Sequence, residues 1–79
     1  MNKNVVSLLL EMVQKKYKEN IVTEVTGKEG PDNCPIVSVC INLPNGNSYK
    51  AEGPNKHRAK EKAARMALKE EFNYTEEDE

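Results

Sequence analysis

Gly53-Pro54-Asn55-Lys56-His57-Arg58-Ala59-Lys60-Glu61-Lys62-Ala63-Ala64 decides the fold, because it ends one kind of backbone and begins another. Gly53 and Pro54 punctuate whatever precedes them. Asn55 then offers a side-chain oxygen of the kind that caps the first free N–H groups of a helix. Beyond it Ala59, Ala63 and Ala67 recur every four residues, with Ala64, Met66 and Leu68 beside them. The spacing predicts a helix from Asn55 to about Phe72 whose buried face is built from small side chains. A helix with such a face can lie close to the surface it covers.

Upstream the period changes from four to two. Ser48 to Glu52 reads as a strand, and Val37, Val39, Ile41 and Leu43 alternate with Ser38, Cys40 and Asn42 in another that has one buried face. Asn45-Gly46 between them predicts a hairpin, with a type I′ turn that needs positive φ at both central positions. Ile21, Thr23 and Val25 alternate with Val22, Glu24 and Thr26 in a further strand, and Gly27 to Asn33 is rich enough in turn formers to predict an exposed loop. At the start, Val5, Leu8, Leu9, Met12 and Val13 recur at helical spacing, with Val6 and Leu10 widening the apolar side. This leaves a polar line of Asn4, Ser7, Glu11, Gln14 or Lys15, and Lys18. The expected class is α+β in the order α-β-β-β-α: a three-stranded antiparallel sheet with two helices packed on one face. One domain over residues 4–72 is expected, followed by an acidic tail, 73–79, with nothing to bury and no fixed structure.

At 79 residues the chain has room for one modest core, since a domain of this size buries only about 60% of the surface that its unfolded chain exposes. The balance of 37% hydrophobic and 32% charged residues belongs to a globular domain rather than a disordered or membrane-spanning one. No apolar run approaches the roughly 20 residues of a membrane helix, and the first residues carry no secretory signal. The expected setting is intracellular, cytoplasmic or nuclear, with no membrane partner. Cys34 and Cys40, six residues apart in an extended stretch, would stand roughly 20 Å apart, too far for a disulfide. Two cysteines and one histidine do not make a zinc site, so no metal and no cofactor is expected.

The net charge of −1 conceals a division. Residues 1–69 hold twelve Lys/Arg against seven Asp/Glu, a net of +5, and residues 50–69 alone hold seven against two, again +5. The last ten residues carry six acids and no base. A positive charge gathered in one segment is the electrostatic footprint of a nucleic-acid binder.

Taken in order, Leu9 and Glu11 on the first helix, the Gly30-Pro31 loop, the alternating strand, the Asn-Gly hairpin and the run from Gly53 to Ala64 resemble the double-stranded RNA-binding domain. The family opens its second helix with Ser-Lys-Lys-x-Ala-Lys-x-x-Ala-Ala. Lys56, Ala59, Lys60, Ala63 and Ala64 keep that spacing here, and the similarity covers about residues 4 to 72. The resemblance implies sequence-independent binding of A-form RNA through two minor grooves and the phosphates across the major groove between them. Glu11 then matches the acid that accepts a hydrogen bond from a ribose 2′-hydroxyl, with Ser7 and Asn4 one and two turns before it. Pro31, Asp32 and Asn33 match the loop that enters the second minor groove, Asn33 standing where the family often has His. Lys56, His57 and Lys60 match the cluster on the phosphates, reinforced by the positive end of the helix dipole. His57 stands where the family usually has Lys, and imidazoles ordinarily change charge between pH 5 and 8. Affinity should therefore tighten as pH falls toward about 6. Arg58, Lys62, Arg65 and Lys69 form a second basic line, read as a solvated face, and Lys50 is ambiguous.

Two other classes compete. A protein–protein module on the same fold would dock a partner or a second copy on the open sheet face carrying Ile36, Ser38, Cys40 and Asn42. An enzyme finds no support: there is no nucleophile paired with His57, no phosphate-cradling glycine loop and no carboxylate pair. The expected role is thus non-catalytic, as the accessory module of a ribonuclease III or Dicer-like nuclease or an RNA-editing deaminase, or as a small protein that sequesters duplex RNA.

Overall fold

Each predicted change of period becomes an element in the computed structural model, which describes residues 4–74. The order is α1 (Val5–Tyr17), β1 (Val22–Glu29), β2 (Ile36–Asn42), β3 (Ser48–Gly53) and α2 (Lys56–Phe72). Both helices begin on an asparagine: Asn4 Oδ1 accepts from Val6 N at 2.8 Å, and Asn55 Oδ1 from Arg58 N at 2.9 Å. Both end on a left-handed residue, Lys18 at φ 63° and Asn73 at φ 54°. Of the expected acidic tail, Thr75 to Glu79 lie outside the described residues.

The sheet is antiparallel in the order β1-β2-β3. Ile41 stands between Thr23 and Tyr49, and Val39 between Val25 and Ala51, so these residues share the helix-covered face. Helix α2 lies over β2 and β3, and α1 packs against α2. The core is correspondingly one-sided: Leu9 and Val13 from α1, Val39 and Ile41 from β2, and Ala59, Ala63, Ala64, Ala67 and Leu68 from α2, all essentially without solvent contact. Strand β1 is left at an uncovered edge. Val25 is 51% exposed although it points to the helix side.

Two expectations need correction. Strand β1 does not stop at Thr26 but runs to Glu29, because the register shifts between Val25 and Gly27 and leaves Thr26 as an extra residue. Such a bulge bends a strand without ending it, so Gly27 and Lys28 are strand residues. The chain reverses instead at Gly30, whose φ of +94° suits glycine and where a Cβ would meet Cys34 O at 2.7 Å. The hairpin is not type I′ either. Gly46 N donates to Leu43 O at 3.1 Å and only Gly46 has positive φ, at +97°. Pro44, whose ring holds φ near −65°, turns the chain first and a left-handed glycine follows, which is the three-residue alternative. Met66, beside the buried alanine face as its spacing places it, is 44% exposed.

At the hairpin end a polar cluster fastens all the layers together. Glu71 near the end of α2 accepts from Asn45 Nδ2 (2.7 Å), Asn47 Nδ2 (2.6 Å) and Tyr49 Oη (2.5 Å). Asn45 Nδ2 also donates to Tyr17 Oη at 3.0 Å, which brings in the end of α1. Lys16 Nζ lies 5.4 Å from the ring centres of both Tyr17 and Phe72, at cation–π distance. Burial, then the bond to Glu71 and its charge, push the Tyr49 phenol from 10.0 to about 12. The Glu71 carboxyl is held below its ordinary value, chiefly by the Tyr49 hydroxyl and further by Asn47 and Asn45, against the opposing effect of its own burial.

Candidate nucleic-acid interface

The strand register fixes which ends of the elements meet. Val22 pairs with Asn42 and Asn42 with Ser48, so the start of β1 and the hairpin share one end of the sheet. Glu29 pairs with Ile36 and Val37 with Gly53 at the other end. The 30–35 loop and the start of α2 are therefore at the same end of the sheet. Because Tyr17 and Glu71 are both tied to the hairpin, the first turns of α1 and α2 are the ends of those helices remote from it. Of the residues singled out in the sequence, the register puts Pro31, Asp32 and Asn33 at the same end of the sheet as Lys56, His57 and Lys60. Asn4 and Ser7 begin the neighbouring helix, and Glu11 stands about 10 Å further along α1 than Asn4.

The loop is built to present its tip. Cys34 N donates to Pro31 O at 3.0 Å, closing a turn whose central residues are Asp32 and Asn33, and both are exposed. Side-chain amide and carboxylate are thus turned to solvent, and the turn leaves the loop no core of its own.

The start of α2 depends on Gly53. A Cβ there would lie 2.8 Å from Ala59 N and 3.2 Å from Ala59 Cα, both backbone atoms. Glycine allows β3 to run directly beneath the first turn of the helix, and that contact sets where Lys56, His57 and Lys60 emerge. Lys56 and His57 are exposed and Lys60 is half-buried, so its stem lies along the protein while its ammonium can reach water. The first turn contains no acid. The positive end of the helix dipole and the cations point the same way, an arrangement suited to a phosphate.

Sequence reasoning did not single out Glu61. Its Oε2 lies 3.2 Å from His57 Nε2 and its Oε1 4.0 Å from Arg58 Nη1. The spacing of four from His57 and three from Arg58 was the available signal. A phosphate that uses His57 must share the imidazole with this carboxylate. Asn4 also has a second task, since its Oδ1 caps α1 and only its Nδ2 is left for a ligand.

On α1, Ser7, Glu11, Gln14, Lys15 and Lys18 are all exposed, while Val5, Leu9 and Val13 on the opposite side are buried. The polar line is therefore a continuous outer surface. Among the described residues no group of His, Cys, Asp and Glu could hold a metal ion, and no helix is long and apolar enough to cross a membrane.

A family model described as "Double-stranded RNA binding motif" matches residues 5–71. The chain is 38% identical over 66 residues to ribonuclease 3 of Oleidesulfovibrio alaskensis, an overlap of 84% of this chain and 29% of that protein. It is 34% identical over 62 residues to ribonuclease 3 of Nitratidesulfovibrio vulgaris, with 78% and 24% covered. With ribonuclease 3 of Ehrlichia chaffeensis it shares 33% over 69 residues, covering 87% and 30%. It thus spans no more than 30% of the length of these relatives.

Proposed function

From the premise that the chain belongs to the double-stranded RNA binding motif family, we propose that it grips duplex RNA through three surfaces. These are Asn4, Ser7 and Glu11 on α1, Pro31, Asp32 and Asn33 in the loop, and Lys56, His57 and Lys60 on α2. The observation that carries this assignment is the register, which sets the exposed Asp32-Asn33 turn at the same end of the sheet as an acid-free, lysine-bearing helix start. A-form RNA offers 2′-hydroxyls in a wide minor groove and closely spaced phosphates across a deep major groove. The α1 line and the loop would take the former and the α2 cluster the latter. Such contacts read shape and ribose rather than base sequence.

The activity that this binding serves is RNA processing. The similarity to three ribonuclease 3 proteins supports a role as the non-catalytic RNA-binding unit of an enzyme of that kind, in an intracellular setting. The open sheet face gives less support to protein docking. Its exposed apolar residues Val22 and Ile36 pair at opposite ends of the sheet, with Glu24, Cys40, Ser38, Lys50 and Glu52 between them.

The test is a titration at fixed salt against a duplex RNA of about 20 base pairs, the same sequence as duplex DNA, and one RNA strand alone. Selective binding to the RNA duplex is expected. Lys56→Glu/Lys60→Glu, checked for unchanged secondary structure, should weaken it by roughly tenfold or more. Equal affinity for duplex DNA, or an undiminished affinity in the double variant, would overturn the assignment.

A further inference from the structure

Asn45 is the only asparagine of the chain that precedes a glycine. That neighbour matters chemically, because the backbone nitrogen of a glycine reaches the preceding side-chain amide with no Cβ in the way. Gly46 is exposed, with nothing within 4 Å of where a Cβ would stand. Attack of its nitrogen on Asn45 Cγ puts negative charge on Oδ1. Asn47 N already donates to that oxygen at 2.9 Å, and a donor fixed in advance where charge develops lowers the barrier to such a step. Opposing the attack, Gly46 N donates to Leu43 O at 3.1 Å. This is a single turn contact at an exposed tip, of the kind that opens locally far more readily than a core.

The same amide fastens the hairpin to both helices. Its Nδ2 donates to Glu71 Oε1 at 2.7 Å and to Tyr17 Oη at 3.0 Å. Both contacts need an N–H, and an ionised carboxylate only accepts. Tyr17 could turn its hydroxyl and donate to a carboxylate at position 45. Glu71 could not, since it is ionised at neutral pH, the bond from Tyr49 chiefly holding its carboxyl below the ordinary value.

We propose that Asn45-Gly46 is a site of spontaneous modification that unfastens the hairpin from α2. The Gly46 nitrogen bonds to Asn45 Cγ and gives up its proton, the Cγ–Nδ2 bond breaks, and the amide leaves as ammonia with that proton. A cyclic imide remains. Water then adds to one ring carbonyl and breaks its bond to nitrogen, leaving aspartate when the side-chain carbonyl is opened and isoaspartate when the backbone carbonyl is. Nothing is oxidised or reduced. Either product faces Glu71 with a second carboxylate where a donor stood, and isoaspartate also lengthens the main chain within the turn. The inference does not depend on the RNA-binding reading.

The experiment holds the folded full chain at mildly alkaline pH and physiological temperature. Peptides spanning Asn45 and Asn47 are followed by mass spectrometry for the change from amide to acid, with isoaspartate read separately. Asn45 should convert roughly tenfold faster than Asn47, whose neighbour Ser48 has a side chain, and isoaspartate should accompany aspartate. No conversion of Asn45, conversion confined to chain unfolded in urea, or aspartate without isoaspartate would overturn the proposal. Asn45→Asp supplies one product directly and should lower the urea midpoint by roughly 1 M. In a Glu71→Gln background the same substitution should cost less than half as much, because the amide introduced there can donate to the new carboxylate. An unchanged midpoint, or an equal fall in both backgrounds, would overturn the opposition with Glu71 on which the unfastening depends.

Discussion

Tyr49→Phe removes a single oxygen from the cluster that ties the hairpin to α2, and its consequence depends on pH in a way the geometry dictates. At neutral pH the hydroxyl donates to Glu71 at 2.5 Å. Hydrogen bonds to charged groups contribute about 1.5–3 kcal/mol. Glu71 is half-buried and keeps its bonds from Asn45 and Asn47, so the lower figure applies: the variant should be less stable by about 1.5 kcal/mol. Alkaline pH adds an opposing effect. The phenol is raised from 10.0 to about 12 in the fold, so its contribution is complete below the unfolded value and is lost as pH rises through the folded one. At about 1.4 kcal/mol per pH unit the full loss approaches 3 kcal/mol, about half of it by pH 11. The wild-type advantage should therefore shrink above pH 10, vanish near pH 11 and reverse beyond it. Urea unfolding of both proteins from about pH 7 to pH 11.5 measures this directly. A difference that stays constant from pH 9 to pH 11 would refute the role assigned to Tyr49.

Other consequences concern the RNA surface and the core. His57→Lys should tighten RNA binding by roughly two- to fivefold at neutral pH, because a full cation replaces the imidazole at the start of α2; unchanged affinity in titrations of both proteins would remove His57 from the contact. Glu61→Gln should tighten RNA binding by roughly two- to fivefold, because an acid 3.2 Å from His57 leaves the phosphate site; weaker binding would mean that Glu61 holds the imidazole in place. Gly53→Ala forces a Cβ to within 2.8 Å of Ala59 N, and should cost about 1–3 kcal/mol in thermal unfolding while also lowering RNA affinity. Ala63→Leu places three more carbons at a fully buried helix–sheet contact, with an expected loss of about 1–3 kcal/mol read from the urea midpoint.

The elements were legible because burial imposes a period. Val37, Val39 and Ile41 alternate against a helix-covered face, and Ala59, Ala63 and Ala67 follow the four-residue spacing of the helix above them, so each declared itself without its partner. The bulge at Thr26 was not legible: it follows from how β1 pairs with β2, and Gly27 and Lys28 look the same in a loop or at an uncovered edge. The turn type was misjudged because the Asn45-Gly46 pair was weighed without Pro44, which commits the first turn residue to negative φ. The RNA-contact candidates were readable through the resemblance and through charge. Glu71's three partners were hidden, since Asn45, Asn47 and Tyr49 lie more than twenty residues away and only the fold brings them together.

The charges on α2 oppose its own dipole. Lys56, His57 and Arg58 occupy the first turn, where no acid is present, and in the last turn Glu70 and Glu71 outnumber the one base, Lys69. Both arrangements are the reverse of what a helix favours, and each misplaced charge costs about 0.3–1 kcal/mol. At the C-terminal end the fold itself offsets this cost, because Glu71 accepts three hydrogen bonds from the hairpin and the last residue of α2 lies beside Lys16. At the N-terminal end the protein supplies only Glu61, which reaches His57 and Arg58. The missing negative charge can come from a ligand, and a phosphate placed there relieves both the mutual repulsion of the cations and their conflict with the dipole. RNA binding and helix stability are coupled by that arrangement, so a bound duplex should stabilise the first turn of α2 more than it stabilises the hairpin end, where the charges are already satisfied.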